Sequence, residues 1–245
     1  MAVVLFVIRS VFVVVWILSG LLTELLVFPL LSRRWRLWVV GAWSRGLLAL
    51  CGVRVRVLGQ PLRKGPGLWV ANHVSWVDIF VLNRVRTTSF VAKSDIRRWP
   101  VIGLLVAWAG TLFIDRGHRH AVREACRQIT RCFQQGDVVG LFPEGTTTEG
   151  RDVKPFHSGL FEAAVQAQVP IQPVALRYLR HGRPAPELSF VGEQTLVANL
   201  WILLGAWGVA VECQFLRPIV PDAESRRGDL ASQCHALVRQ AVQSS

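Results

Sequence analysis

In "VANHVSWVDI", residues 70–79, His73 and Asp78 stand five positions apart, directly after the strand-like run "GLWVA". An imidazole beside a carboxylate is a proton-handling pair. The carboxylate fixes the ring tautomer and stabilises the imidazolium, and the other ring nitrogen takes a proton from a hydroxyl, an effect worth roughly 10²- to 10⁴-fold in rate. The same residue types also cap and satisfy the start of a helix. On a regular helix five positions are about 140° apart, so the two side chains meet only if His73 lies in the turn before a helix that begins near Ser75.

Two further stretches carry usable groups. "GTLFIDR", Gly110 to Arg116, is a short strand that delivers an arginine at its end. "VVGLFPEGTTTEG" is a buried strand ending in Pro143-Glu144-Gly145-Thr146, where the glycine and the backbone amides of the loop can cradle an anion. An arginine at one strand end and an N–H-rich loop at another form a phosphate pocket at the edge of an α/β sheet. Read singly, Arg116 is a solvated charge and "PEGT" is a turn.

The elements that must hold these groups follow from periodicity. "VRVRV" alternates with period two and puts Val53, Val55 and Val57 on one strand face; a second strand is expected over 67–71, and strand-like runs recur at "TTSFVA", "GTLFI", "DVVGLF" and "IQPVALRY". Between them Ala121, Val122, Ala125, Cys126, Ile129, Cys132 and Phe133 form a stripe at 3.6 spacing, and 158–168 forms another. This alternation indicates α/β layering around a sheet. The run "LVANLWILLGAWGVAV", 196–211, reads as an apolar helix feeding a strand, and "GDLASQCHALVRQAVQ" as a C-terminal amphipathic helix.

Composition points to a lipid partner. Of the 245 residues 51% are hydrophobic, the mean hydropathy is +0.37, and ten tryptophans stand against one tyrosine, a set of rings suited to a membrane interface. The net charge is +12, and all but three of the 28 cations are arginine, the side chain best shaped for bidentate phosphate contact. No aromatic-basic RNA-binding signature or zinc-finger spacing accompanies that charge, so nucleic acid is not the expected partner. Five cysteines in neither a CxxC nor a metal-ligand spacing imply no disulfide framework and no metal site, in keeping with a reducing, cytosol-facing location.

Residues 2–31 are strongly apolar, but Arg9 and Glu24 leave only Ser10 to Thr23 uncharged, short of the roughly 20 residues a straight span requires unless Arg9 snorkels. The segment lacks a signal peptide's basic start and cleavage site. The expectation is a helix broken near Gly20, or a helical hairpin, dipped into the cytoplasmic leaflet, with Arg33, Arg34 and Arg36 on headgroups and Trp16, Trp35, Trp38, Trp43 and Trp201 at the interface. A single span is the alternative. The chain thus divides into membrane-associated helices over 1–52 and one globular domain over 53–245.

The ordered set "NHVSWVD", "GTLFIDR", "FPEGT" and "VPIQPV", with smaller matches at "VAKSDIRRWPVIG" and "KPFHSGLFEAA", resembles the four-block pattern of the glycerolipid acyltransferase superfamily, represented by the 1-acylglycerol-3-phosphate acyltransferases; it covers roughly residues 50–216. The resemblance implies His73 as general base, Asp78 as the residue that orients it, Arg116, Glu144, Gly145 and Thr146 as positioners of the acceptor's phosphate and glycerol, and Lys93 as an additional phosphate contact. It implies a central mixed sheet flanked by helices and preceded by a two-helix element immersed in one leaflet. It also implies direct acyl transfer from acyl-CoA or acyl carrier protein as co-substrate, with no metal or other cofactor. No G-x-S-x-G elbow and no cysteine falls in a block, against a covalent acyl-enzyme. One departure stands out. Many phosphatidate-making members carry Arg or Ser after "FPEGT", whereas this chain has Thr147 and Thr148, as in the lyso-ornithine lipid acyltransferases. Lysophosphatidate comes first as acceptor on the strength of Lys93 and Arg116, and lyso-ornithine lipid second. The rivals from other classes are an inactive membrane-binding protein and a thioester hydrolase.

Overall fold

The computed structural model describes residues 2–98, 102–108, 110–114 and 119–244. Helix α1 (Ala2–Leu26) and helix α2 (Arg33–Leu50) lead into strand β1 (Arg54–Gly59), strand β2 (Gly67–Ala71), helix α3 (Asp78–Val85) and strand β3 (Thr88–Lys93). Helix α4 (Ile102–Trp108), strand β4 (Leu112–Ile114), helix α5 (Arg119–Gln134), strand β5 (Val138–Leu141) and helix α6 (Glu162–Ala167) follow. Strand β6 (Ile171–Arg180), the short β7 (Arg183–Pro184), helix α7 (Leu196–Gly205), strand β8 (Val209–Phe215) and helix α8 (Arg227–Gln243) complete the chain.

Among the described residues the strands form one eight-stranded mixed sheet in the order β1-β8-β6-β2-β5-β3-β4, with β7 against β6. β6 pairs antiparallel with β8 and parallel with β2, and β2, β5, β3 and β4 are parallel neighbours, so their C-terminal ends share one edge. β2 lies at the centre and is buried at every position, as a continuous apolar run should be when both faces are covered. Its side chains alternate between two cores. Trp69 and Ala71 pack with residues of α2, α3 and α7, and Leu68 and Val70 with residues of α5, α6 and α8. β1 sits at the sheet edge, where Val55 is half-buried and Val57 exposed, so the expected valine face is only partly covered.

The N-terminal helices form an antiparallel hairpin packed on the α3 and α7 side. Trp16 Nε1 donates to the Trp43 carbonyl at 3.1 Å, and Trp43 Nε1 donates back to the Trp16 carbonyl at 3.2 Å. Glycines make this approach possible: a Cβ on Gly46 would lie 2.2 Å from Trp16 Cζ2, and one on Gly20 would lie 2.6 Å from Trp43 Nε1. α1 therefore runs unbroken through Gly20, which is a contact point and not a break. Arg9 does not snorkel. Its guanidinium donates to the carbonyls of Leu204 at 3.0 Å and Ala206 at 2.6 Å, and so caps the C-terminus of α7. Trp35, Trp38 and Trp201 are exposed as an interface role requires, whereas Trp16 and Trp43 lock the hairpin. Arg33 pairs with Asp137, just ahead of β5, and Arg36 Nε donates to the Leu31 carbonyl at 3.0 Å.

The substitution Gly46→Leu puts a side chain where Trp16 already lies. Overpacking of this kind costs about 1–3 kcal/mol, and thermal unfolding in detergent should register a Tm lower by roughly 2–12 °C.

Candidate active site

The first block leaves the sheet through a buried side chain that imitates a strand. Asn72 donates from Nδ2 to the Leu176 carbonyl at 2.9 Å and accepts from the Leu176 N–H at 2.8 Å, so it extends the β2–β6 pairing by one step. The chain then turns through Val74 and Ser75 before α3 starts at Asp78, three residues later than the pattern suggests. His73 lies in the turn ahead of the helix, as the expectation required, and Asp78 opens the helix itself.

They do meet. His73 Nδ1 lies 2.7 Å from Asp78 Oδ2. The same oxygen accepts the backbone N–H groups of Val74 at 2.8 Å and Ser75 at 3.0 Å, so both readings of the pair hold at once: Asp78 satisfies the turn before the helix and orients the imidazole. The other oxygen, Oδ1, accepts the Tyr178 hydroxyl at 2.6 Å. Asp78 has no solvent exposure, and these donors replace the water that a buried carboxylate loses. A carboxylate bound by amide N–H groups and a phenol acts as acceptor only, so Nδ1 carries a proton and, in the neutral ring, Nε2 is the nitrogen with the lone pair. Nε2 has no hydrogen-bond partner among the described residues, and the side chain keeps 21% of its surface open.

The third block grips the backbone of His73 from both sides. Glu144 Oε1 accepts the His73 N–H at 2.7 Å, while the Thr148 N–H donates to the His73 carbonyl at 2.8 Å. The second Glu144 oxygen accepts the Lys154 N–H at 2.8 Å. Glu144 is 4% exposed, and burial raises its carboxyl above the usual range while the two N–H bonds pull it back. Phe142, the residue after β5, stacks on the imidazole with centroids 4.1 Å apart and planes 15° from parallel, and Phe90 of β3 stacks on Phe142 in turn. Ring, backbone and Nδ1 are all held, and only Nε2 stays open.

The remaining expected positions fall as follows. Gly145 takes φ +74°, a left-handed conformation that favours glycine, and its N–H donates to the Phe142 carbonyl at 3.1 Å in a tight turn. Thr146 is exposed at the loop tip. Thr147 donates its hydroxyl to the Phe190 carbonyl, and the Phe190 N–H donates to the Val74 carbonyl at 2.9 Å, so the segment after β7 is fastened over the same turn. Lys93 is the last residue of β3, with its side chain outside what is described. Arg116 lies outside the described residues, two positions after the end of β4. His73, Glu144 and Lys93 thus all follow or end the adjacent parallel strands β2, β5 and β3, at the sheet edge where ligands bind in α/β folds.

A family model described as Acyltransferase matches residues 54–177, from β1 into β6. The chain belongs to the acyltransferase family. This acyltransferase is 39% identical over 216 residues to the lyso-ornithine lipid O-acyltransferase of Pseudomonas aeruginosa, a match covering 88% of this chain and 81% of that one. It is 40% identical over 175 residues to the 1-acyl-sn-glycerol-3-phosphate acyltransferase of Neisseria meningitidis, covering 71% and 68%. The crystal structure of the 1-acyl-sn-glycerophosphate acyltransferase PlsC from Thermotoga maritima shares its fold, with a TM-score of 0.70 at 22% identity over 99% of this chain and 95% of that one.

Sequence reasoning missed Tyr178 and Asn72, and gave Thr148 only as a departure in the third block, without its backbone role. The one usable signal was that Tyr178 is the chain's single tyrosine. Burial beside Asp78 raises its phenol well above the ordinary value, so it stays a donor throughout the working pH range. Tyr178→Phe should keep the fold and lower turnover on the order of tenfold, because one buried carboxylate oxygen is left unsatisfied at about 1–3 kcal/mol; steady-state kinetics with circular dichroism checks this. Glu144→Gln offers one acceptor where two N–H groups need one each. It should lower kcat by at least roughly tenfold through the displaced His73 backbone, since leaving a buried N–H unpaired costs a similar amount.

Proposed function

We propose that this acyltransferase moves a fatty acyl group from a thioester carrier, acyl-CoA or acyl carrier protein, to the free hydroxyl of a lysolipid at the cytoplasmic face of a membrane. The observation that carries the reading is the 2.7 Å contact of His73 Nδ1 with the buried Asp78, which leaves Nε2 open. Nε2 takes the proton of the lysolipid hydroxyl, the alkoxide oxygen bonds to the thioester carbonyl carbon, and the carbon–sulfur bond breaks as the tetrahedral adduct collapses. The thiolate leaves with the proton from the imidazolium. Backbone amides or a basic side chain at the sheet edge stabilise the oxyanion. With the thioester already activated, alignment supplies much of the rest, up to about 7–11 kcal/mol. Glu144 contributes by holding two loops in place, and Gly145 and Thr146 shape the rim that faces the acceptor.

The acceptor is proposed on two grounds. On the cations alone, Lys93 and Arg116, lysophosphatidate comes first, and the 40% identity to the Neisseria enzyme supports it. Thr147 weighs the other way. It carries no charge and spends its hydroxyl on Phe190, and the relatives named as lyso-ornithine lipid acyltransferases match over 88% and 89% of this chain. Lyso-ornithine lipid is therefore the first acceptor to test and lysophosphatidate the second. The hairpin supports immersion in one leaflet over a free-standing span, because α1 is fastened to the globular part at Arg9 and Val13 and to α2 at Trp16 and Gly20.

Membrane-reconstituted protein incubated with labelled acyl-CoA or acyl carrier protein and a panel of lysolipids should acylate one of these two acceptors, and His73→Ala should lose roughly 10²- to 10⁴-fold in rate with the fold intact. Free fatty acid released at the same rate without any lysolipid would identify a hydrolase and overturn the reading.

A further inference from the structure

Helix α7 is built inside out. Its polar side chain, Asn199, is 1% exposed, while Val197 is 73% and Trp201 47% exposed. Ala198 joins them, so positions 197, 198 and 201 form one apolar stripe on the outer side of the helix. A helix at a water-facing surface has the reverse pattern. Two further observations say what covers the stripe. The Trp201 ring packs against Phe6 of α1 with centroids 4.4 Å apart, so the stripe continues directly into the exposed Val3, Val4, Val7 and Ile8 of a helix long and apolar enough to cross a membrane. The carbonyls of Leu204 and Ala206, at the end of α7, are taken by Arg9, so this helix end satisfies those acceptors without water, as a lipid surround requires.

We propose that α7 is a second lipid-contacting element, seated beside α1 with its Val197–Ala198–Trp201 stripe among acyl chains. The occupant is the bilayer itself. The continuity with α1, the capped helix end and a lipid substrate all favour it over a second protein copy. Asn199 gives the contact a purpose. It accepts the Trp76 indole N–H at 2.9 Å and donates to the Ser189 carbonyl at 2.9 Å and Gln194 Oε1 at 3.0 Å. Trp76 belongs to the turn that carries His73. The helix that meets the lipid thus also holds the turn that presents the base, and it sets the height of Nε2 above the bilayer surface.

The test places an environment-sensitive fluorophore on Val197→Cys in the full chain, in a Cys132→Ala background because the other four native cysteines are buried. Gln233→Cys, exposed on α8 across the sheet, serves as the control. With the protein bound to phosphatidylglycerol–phosphatidylethanolamine vesicles, the label at 197 should shift to the blue. It should be quenched several-fold more strongly than the control by nitroxide-bearing acyl chains, and shielded from aqueous iodide. Iodide access equal to that of the control on vesicle-bound protein would overturn the proposal. Shielding from iodide without nitroxide quenching would overturn it as well, and would point to a second copy on this face. No turnover is involved, so the result stands apart from which lysolipid, if any, is acylated.

Discussion

A carboxylate placed out of reach of water must find donors, and the centre of this enzyme is arranged around that demand. Asp78 accepts from the His73 ring, from two amides of the turn and from Tyr178, and each donor comes from a segment whose position is thereby set. The turn 73–75 cannot open without stranding charge. β6 cannot slide along β2 without withdrawing the phenol, because Asn72 and Tyr178 bind the two strands together on either side of the same turn. Removing one partner from such a cluster costs more than any single bond contributes, because the charge stays behind.

The sheet topology explains why distant blocks converge. β2, β5 and β3 are parallel neighbours, so the residues that follow them emerge side by side on one edge although they lie far apart in the chain. The layer beyond the sheet divides the labour. α5, α6 and α8 close one face with an ordinary amphipathic pattern, while the other face carries α3, α7 and the N-terminal hairpin.

What could be read from the residues, and what could not, separates along physical lines. β2 was plain because five apolar residues between turn signals have few other fates, and α7 leading into β8 was plain for the same reason. His73 and Asp78 were visible as a pair because their partners lie within one turn. Tyr178 was not, since it joins that pair from 100 positions away and strands hold tyrosines for many reasons. Glu144 could be located but not understood: its partners are backbone N–H groups, which every residue but proline has and no pattern marks. Arg9 reads as a charge that a straight span could hold only by snorkelling, and Gly20 as a helix break. Both are answers to close packing, a cap for another helix and room for an indole, and such needs arise only once the helices are in place.

Thr147 has a consequence for how acceptor choice can diverge. Its hydroxyl holds Phe190, whose own amide holds Val74, so an exchange for a cation at this position would add charge to the loop after β5 and at the same time unfasten the segment that lies over the turn carrying His73. On the proposed function, acceptor choice and the alignment of His73 meet at this one side chain. A lineage changing its headgroup preference at 147 would need a compensating anchor near 190, and the two positions should drift together.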